Sequence, residues 1–139
     1  MIPLYLLDAT YREGATGERE GGRLFHDCWS LAMAVRRHHG LPDLPVMPGH
    51  PVVRRTSRTY AVYAQVLDIG PPTEGAIAAV MRGKSCEHVG VVTRLEGRLV
   101  VLEINPKTGV RWMSPADFER HYLKVVYHRD RDISQQAAS

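Results

Sequence analysis

The succession of hydrophobic periods along this chain predicts an α+β fold, with N-terminal helices packed on an antiparallel β-sheet. Apolar residues recur at helical spacing in the first half, and short β-branched runs divided by turn residues fill the second. The double proline Pro71-Pro72 marks the change. With 44% hydrophobic and 24% charged residues in 139, the composition is that of a globular protein rather than a disordered or fibrous one. Residues 1–129 read as a single domain and 130–139 as a polar C-terminal tail.

The first helix runs from Cys28 to His39. Asp27 stands at the N-cap, Cys28, Leu31, Ala32 and Val35 make one apolar face, and Gly40 and Pro42 stop it. A second helical pattern, Ser57 to Leu67, aligns Tyr60, Tyr63, Ala64 and Leu67. Five strands follow: Ala76–Met81, Val89–Leu95, Leu99–Ile104, Val110–Met113 and Lys124–Tyr127. Glu96-Gly97 supplies a tight hairpin turn, and residues 105–109 a longer one. Ser114-Pro115-Ala116-Asp117 combines an N-cap, a proline at the first helical position and an acid in the first turn, which opens a short helix to about Tyr122. The glycine-rich stretch Glu13 to Arg23 and the tail read as unstructured.

Several function classes are excluded at this level. Eighteen Lys and Arg against fifteen Asp and Glu leave +3, too small an excess for a chain that wraps nucleic acid. The apolar run Ile2 to Leu7 is broken by Pro3 and closed by Asp8, so it reads as neither signal peptide nor membrane span. Synthesis in the cytoplasm without a signal peptide, and no membrane partner, are the corresponding expectations. Two cysteines are too few for a disulfide framework.

Cys28 is the sharpest chemical feature. Free backbone N–H groups and the helix dipole at a helix start stabilise a thiolate, although a small buried hydrophobe is the plainer reading of the same residue. His88, at the start of a strand, is the candidate base if the fold turns it toward that helix end. The remaining histidines, His38, His39, His50, His121 and His128, sit in surface-like or terminal contexts, and the Arg36-Arg37-His38-His39 cluster reads as a solvated face. His26 and Cys28 with Cys86 and His88 make a Cys₂His₂ set, but its one-residue spacings are tighter than zinc sites use, so no metal or cofactor is expected.

Asp27-Cys28-Trp29-Ser30-Leu31 at a helix start, with His88-Val89-Gly90-Val91-Val92 on a later strand, resembles the NlpC/P60 family of cysteine peptidases, especially its short phage tail-associated forms. The resemblance spans about Phe25 to His128. It implies a papain-like fold and hydrolysis of peptide bonds in peptidoglycan stem peptides, with phage tail proteins as potential partners and the virion as a potential location. By the same resemblance Cys28 is the nucleophile and His88 the base. Glu103 falls where the family places the polar residue that orients its histidine, and Asn105, on the same strand face, is the competing third member. The oxyanion would be met by the Cys28 backbone, with Tyr11 as a further donor, and Asp27, Trp29 and Ser30 lie beside the nucleophile. Trp29 and Ser30 stand where many secreted members have serine and glycine. Two other readings remain open: a catalytically inactive tail-assembly scaffold that keeps the fold, and a related thiol amidase or acyltransferase in which Cys86 is the nucleophile.

Overall fold

A computed structural model describes residues 2–44 and 64–131. After a short 3-10 turn at Leu4–Asp8 come β1 (Thr10–Tyr11), β2 (Thr16–Glu20), β3 (Arg23–His26) and helix α1 (Cys28–His38). The second half holds β4 (Asp68–Ile69), β5 (Ile77–Arg82), β6 (Ser85–Leu95), β7 (Arg98–Asn105), β8 (Gly109–Met113), helix α2 (Pro115–Tyr122) and β9 (Val125–Arg129). The fold is α+β as expected, and all five expected strands form. The helix expected over Ser57 to Leu67 lies outside the described residues except for its end, where 64–66 are helical.

Six strands form one antiparallel sheet in the order β4-β9-β5-β6-β7-β8, and β1-β3-β2 make a smaller mixed sheet. The small sheet corrects the sequence reading of Glu13 to Arg23. Gly21 and Gly22, both at positive φ, turn the chain between β2 and β3, so these glycines make a hairpin rather than a loose segment.

Local chemistry accounts for the helix boundaries. Asp27 accepts the Ser30 N–H at 2.8 Å while the Asp27 N–H donates to Ser30 Oγ at 3.0 Å, a reciprocal cap that starts α1 at Cys28. Ser114 accepts the Asp117 N–H and Pro115 takes the first position of α2, as the sequence predicts.

The two helices cover opposite faces of the large sheet. Leu31, Ala32 and Val35 of α1 pack in one cluster with Ile77, Ala79, Val89, Val91, Leu102 and Ile104. Phe118 of α2 packs in the other with Ala76, Ala78, Val80, Val92 and Val101. Alternate strand residues therefore serve different helices. Gly90 belongs to the α2 face, where a Cβ would meet Val101 Cγ1 at 2.7 Å and Phe118 Cζ at 3.4 Å. Only glycine lets α2 seat this closely.

Arg36 is 1% exposed and does not belong to a solvated basic face. Its guanidinium donates to both Asp130 carboxylate oxygens at 2.7 and 3.0 Å, to the Gly75 carbonyl at 2.9 Å and to the Pro42 carbonyl at 3.1 Å. Asp130 and Arg131, assigned to the tail on sequence, are thus tied into the fold, Arg131 through Asp68 and the Gln65 carbonyl.

Arg36→Ala strands a carboxylate and two carbonyls and is expected to cost about 3–5 kcal/mol in urea unfolding. Gly90→Ala, which overpacks the α2 face, is expected to cost about 1–3 kcal/mol in the same measurement.

Candidate functional site

The site is organised by irregularities in β6. Val80 pairs with His88 but Met81 pairs with Cys86, which leaves Glu87 as an extra residue and makes a β-bulge. In a regular strand Cys86 and His88 would share a face. The bulge sends Cys86 into the α1-side core and keeps His88 opposite Val80, on the α2 side.

On that side His88 meets Glu103, whose side chain is fully buried. His88 Nε2 lies 2.8 Å from Glu103 Oε1. Arg111 Nε donates to Oε2 at 2.9 Å, and the Tyr122 hydroxyl donates to Oε1. Burial pushes the Glu103 carboxyl up, but the donors from His88, Tyr122 and Arg111 outweigh it and hold the group below its usual value. An ionised carboxylate only accepts, so His88 carries its proton on Nε2 and presents Nδ1 as the basic nitrogen. The Tyr122 hydroxyl is pushed up to about 12 by its own burial and by Glu103, so it remains a donor.

Cys28 approaches β6 from the other side. The β6–β7 ladder ends at the Val91–Leu102 pair, although both strands continue past it. The Val92 N–H points to β5, where it donates to the Ala76 carbonyl, so the Val89 N–H, three residues earlier, points toward β7. Beyond the end of the ladder that amide lies by the Cys28 thiol and favours its ionised form. The thiol therefore sits at the split between β6 and β7, next to the residue that follows His88.

The thiolate expected from the helix N-terminus does not form. Burial, with Cys86 nearby, raises the Cys28 thiol to about 11, and the amides of Val89, Trp29 and Cys28 only partly oppose this. Desolvation outweighs the helix dipole because Cys28 is 4% exposed. His88 likewise does not face the α1 N-terminus as the sequence reading requires: its ring stacks toward Tyr122, 5.6 Å between centroids, on the far face of the sheet.

The other expected residues disperse. Asn105 Oδ1 accepts the N–H groups of Lys107 and Thr108, both at 2.9 Å, and so shapes the β7–β8 turn. Tyr11 lies on β1 in register with His26 and packs against the α1-side core. Asp27, Trp29 and Ser30 line a cavity of about 120 Å³ with His26, whose Nδ1 is 2.8 Å from Ser30 Oγ. His26, Cys28, Cys86 and His88 are not gathered into a ligand set, and among the described residues no group of three His, Cys, Asp or Glu is placed to hold a metal. Cys86 is buried, and its thiol is pushed up to about 12 by burial.

Arg111 and Tyr122 were missed on sequence. Arg111 was accessible in principle, since a turn over residues 105–109 places it directly across from Glu103. His88, Arg111 and Tyr122 line an open depression of about 470 Å³.

Compared with known proteins, the chain matches no family model, no curated protein and no solved structure. Among the described residues no helix is long and apolar enough to cross a membrane.

Both thiols are expected to resist iodoacetamide near neutral pH for as long as the protein stays folded, with Cys28 labelling accelerating as the pH approaches 11, read by mass spectrometry. Because the Glu103 carboxyl is depressed in the fold, its contribution is complete above the ordinary carboxylate value and is lost as pH falls through the folded value. Glu103→Gln should therefore cost about 3 kcal/mol in urea unfolding at neutral pH, with the two proteins converging in acid.

Proposed function

We propose that this chain is a papain-like cysteine peptidase of the NlpC/P60 type that hydrolyses peptide bonds in peptidoglycan stem peptides, in a phage tail setting. The observation that carries the reading is the junction at the β6–β7 split, where a thiol from a helix start lies by Val89, the β6 residue that follows a histidine pinned by a buried carboxylate. Motif resemblance names Cys28, His88 and Glu103, and the geometry joins the last two while Cys28 lies on the opposite face of the sheet.

In this reading His88 Nδ1 removes the Cys28 thiol proton as sulfur bonds to the scissile carbonyl carbon, and the carbonyl oxygen takes the charge. The backbone N–H of Cys28 meets that oxyanion. Collapse breaks the C–N bond, and the imidazolium returns its proton to the leaving amine. Water, deprotonated by Nδ1, then splits the thioester and restores the thiol. Glu103 holds the Nε2 proton in the resting fold, which leaves Nδ1 as the base, and favours the imidazolium. Substrate must first uncover the thiol and bring the imidazole to the split, because the resting fold protonates the one and turns the other to the α2 face.

The burial of Cys28 favours a second reading, a scaffold that retains the fold without turnover. Digestion of intact peptidoglycan and of isolated stem peptides, followed by mass spectrometry, separates the two. The peptidase reading expects cleavage that falls roughly 10³-fold or more in Cys28→Ala and in His88→Ala, with the double variant little worse than either. Intact substrate after incubation with native and Cys28→Ala protein alike would leave the scaffold.

A further inference from the structure

The depression beside His88 has a charge character that the proposed chemistry does not use. Lys107 and Arg111 line it, His121 and Tyr122 form its α2 wall, and no acidic side chain is among its lining residues. The carboxylate beneath it, Glu103, has both oxygens engaged. Arg111 is held by three bonds: Nε to Glu103, and Nη2 to His121 Nε2 at 3.1 Å and to the Tyr122 hydroxyl at 3.4 Å. Its Nη1 has no hydrogen-bond partner among the described residues. A guanidinium fixed on one edge with a nitrogen to spare, beside an exposed lysine and two imidazoles, is preorganised for an anionic oxygen pair.

We propose that this depression is an oxyanion-group subsite, which binds a carboxylate or phosphate carried by the ligand through Arg111 Nη1, Lys107 and the imidazole of His121. The Arg111–His121 bond fixes the neutral tautomer, with His121 Nε2 accepting and Nδ1–H free to donate. Because Glu103 neutralises part of the Arg111 charge, the subsite suits a single anionic group rather than a polyanion. The assignment does not depend on turnover, since binding is readable in Cys28→Ala protein whether or not the chain is a peptidase.

The test uses Cys28→Ala protein with isotope-labelled histidine, titrated with glutarate, with inorganic phosphate and with neutral glutaramide while the imidazole resonances are followed. The subsite predicts saturable shifts at His88 and His121 but not at exposed His38, caused by at least one of the anions and not by glutaramide. The tighter anion identifies the source of the group. Lys107→Gln, at an exposed turn position where folding is undisturbed, should weaken that anion roughly tenfold, and added salt should weaken it further. No shift with either anion, or shifts of equal size with glutaramide or in Lys107→Gln, overturns the proposal. Absence of peptidoglycan cleavage by the native protein, with anion binding intact, would count against the peptidase and not against the subsite.

Discussion

Glu103 is a charge placed inside a small protein, and it persists there because donors from three elements converge on it: His88 from β6, Arg111 from β8 and Tyr122 from α2. Removing a carboxylate from water costs several kcal/mol, which only this many charge-assisted or directed hydrogen bonds offset. The arrangement makes the carboxylate a joint as well as a proton-holding group. It fixes the imidazole tautomer, aligns β8 against β7 at one rung, and holds the C-terminal turn of α2 over the sheet. Any adjustment of one partner is felt by the other two, so the orientation of His88 is coupled to how α2 docks.

The thiol obeys a different balance. At the start of α1 the helix dipole and the cap leave amide protons that favour a thiolate, yet the same position lies on the apolar face that must be buried for α1 to pack. Burial prevails in the resting fold. A protonated thiol held in the core is chemically quiet in the resting fold.

Much of the architecture was legible because it is written in local patterns. The α1 cap, the Ser114-Pro115 start of α2 and the Glu96-Gly97 hairpin each follow from the residues that make them, whereas Glu103 was named as the histidine's partner by the family resemblance, counted back from the turn at Gly109. What escaped was set by long-range geometry. Glu87 gives no local sign that it is an extra residue, so the face to which Cys86 turns could not be read from alternation. Arg36 looks like one more cation in a basic run, since its four acceptors come from Pro42, Gly75 and Asp130. The β2–β3 hairpin was hidden because its strands are short and polar, and the glycines that make its turn read equally well as a loose loop.

The Arg36–Asp130 bridge also sets an order of events. The two residues are separated by 94 positions, among the longest reaches of any contact in the fold. During synthesis α1 leaves the ribosome long before residue 130, and until that carboxylate arrives the guanidinium has no anionic partner in the core. The helix that carries Cys28 can therefore form early but cannot settle onto the sheet as a charged, fully buried element until β9 is in place. Completion of the thiol's environment is thereby timed to one of the last strands made, so the core around Cys28 closes only once the sheet that surrounds it exists.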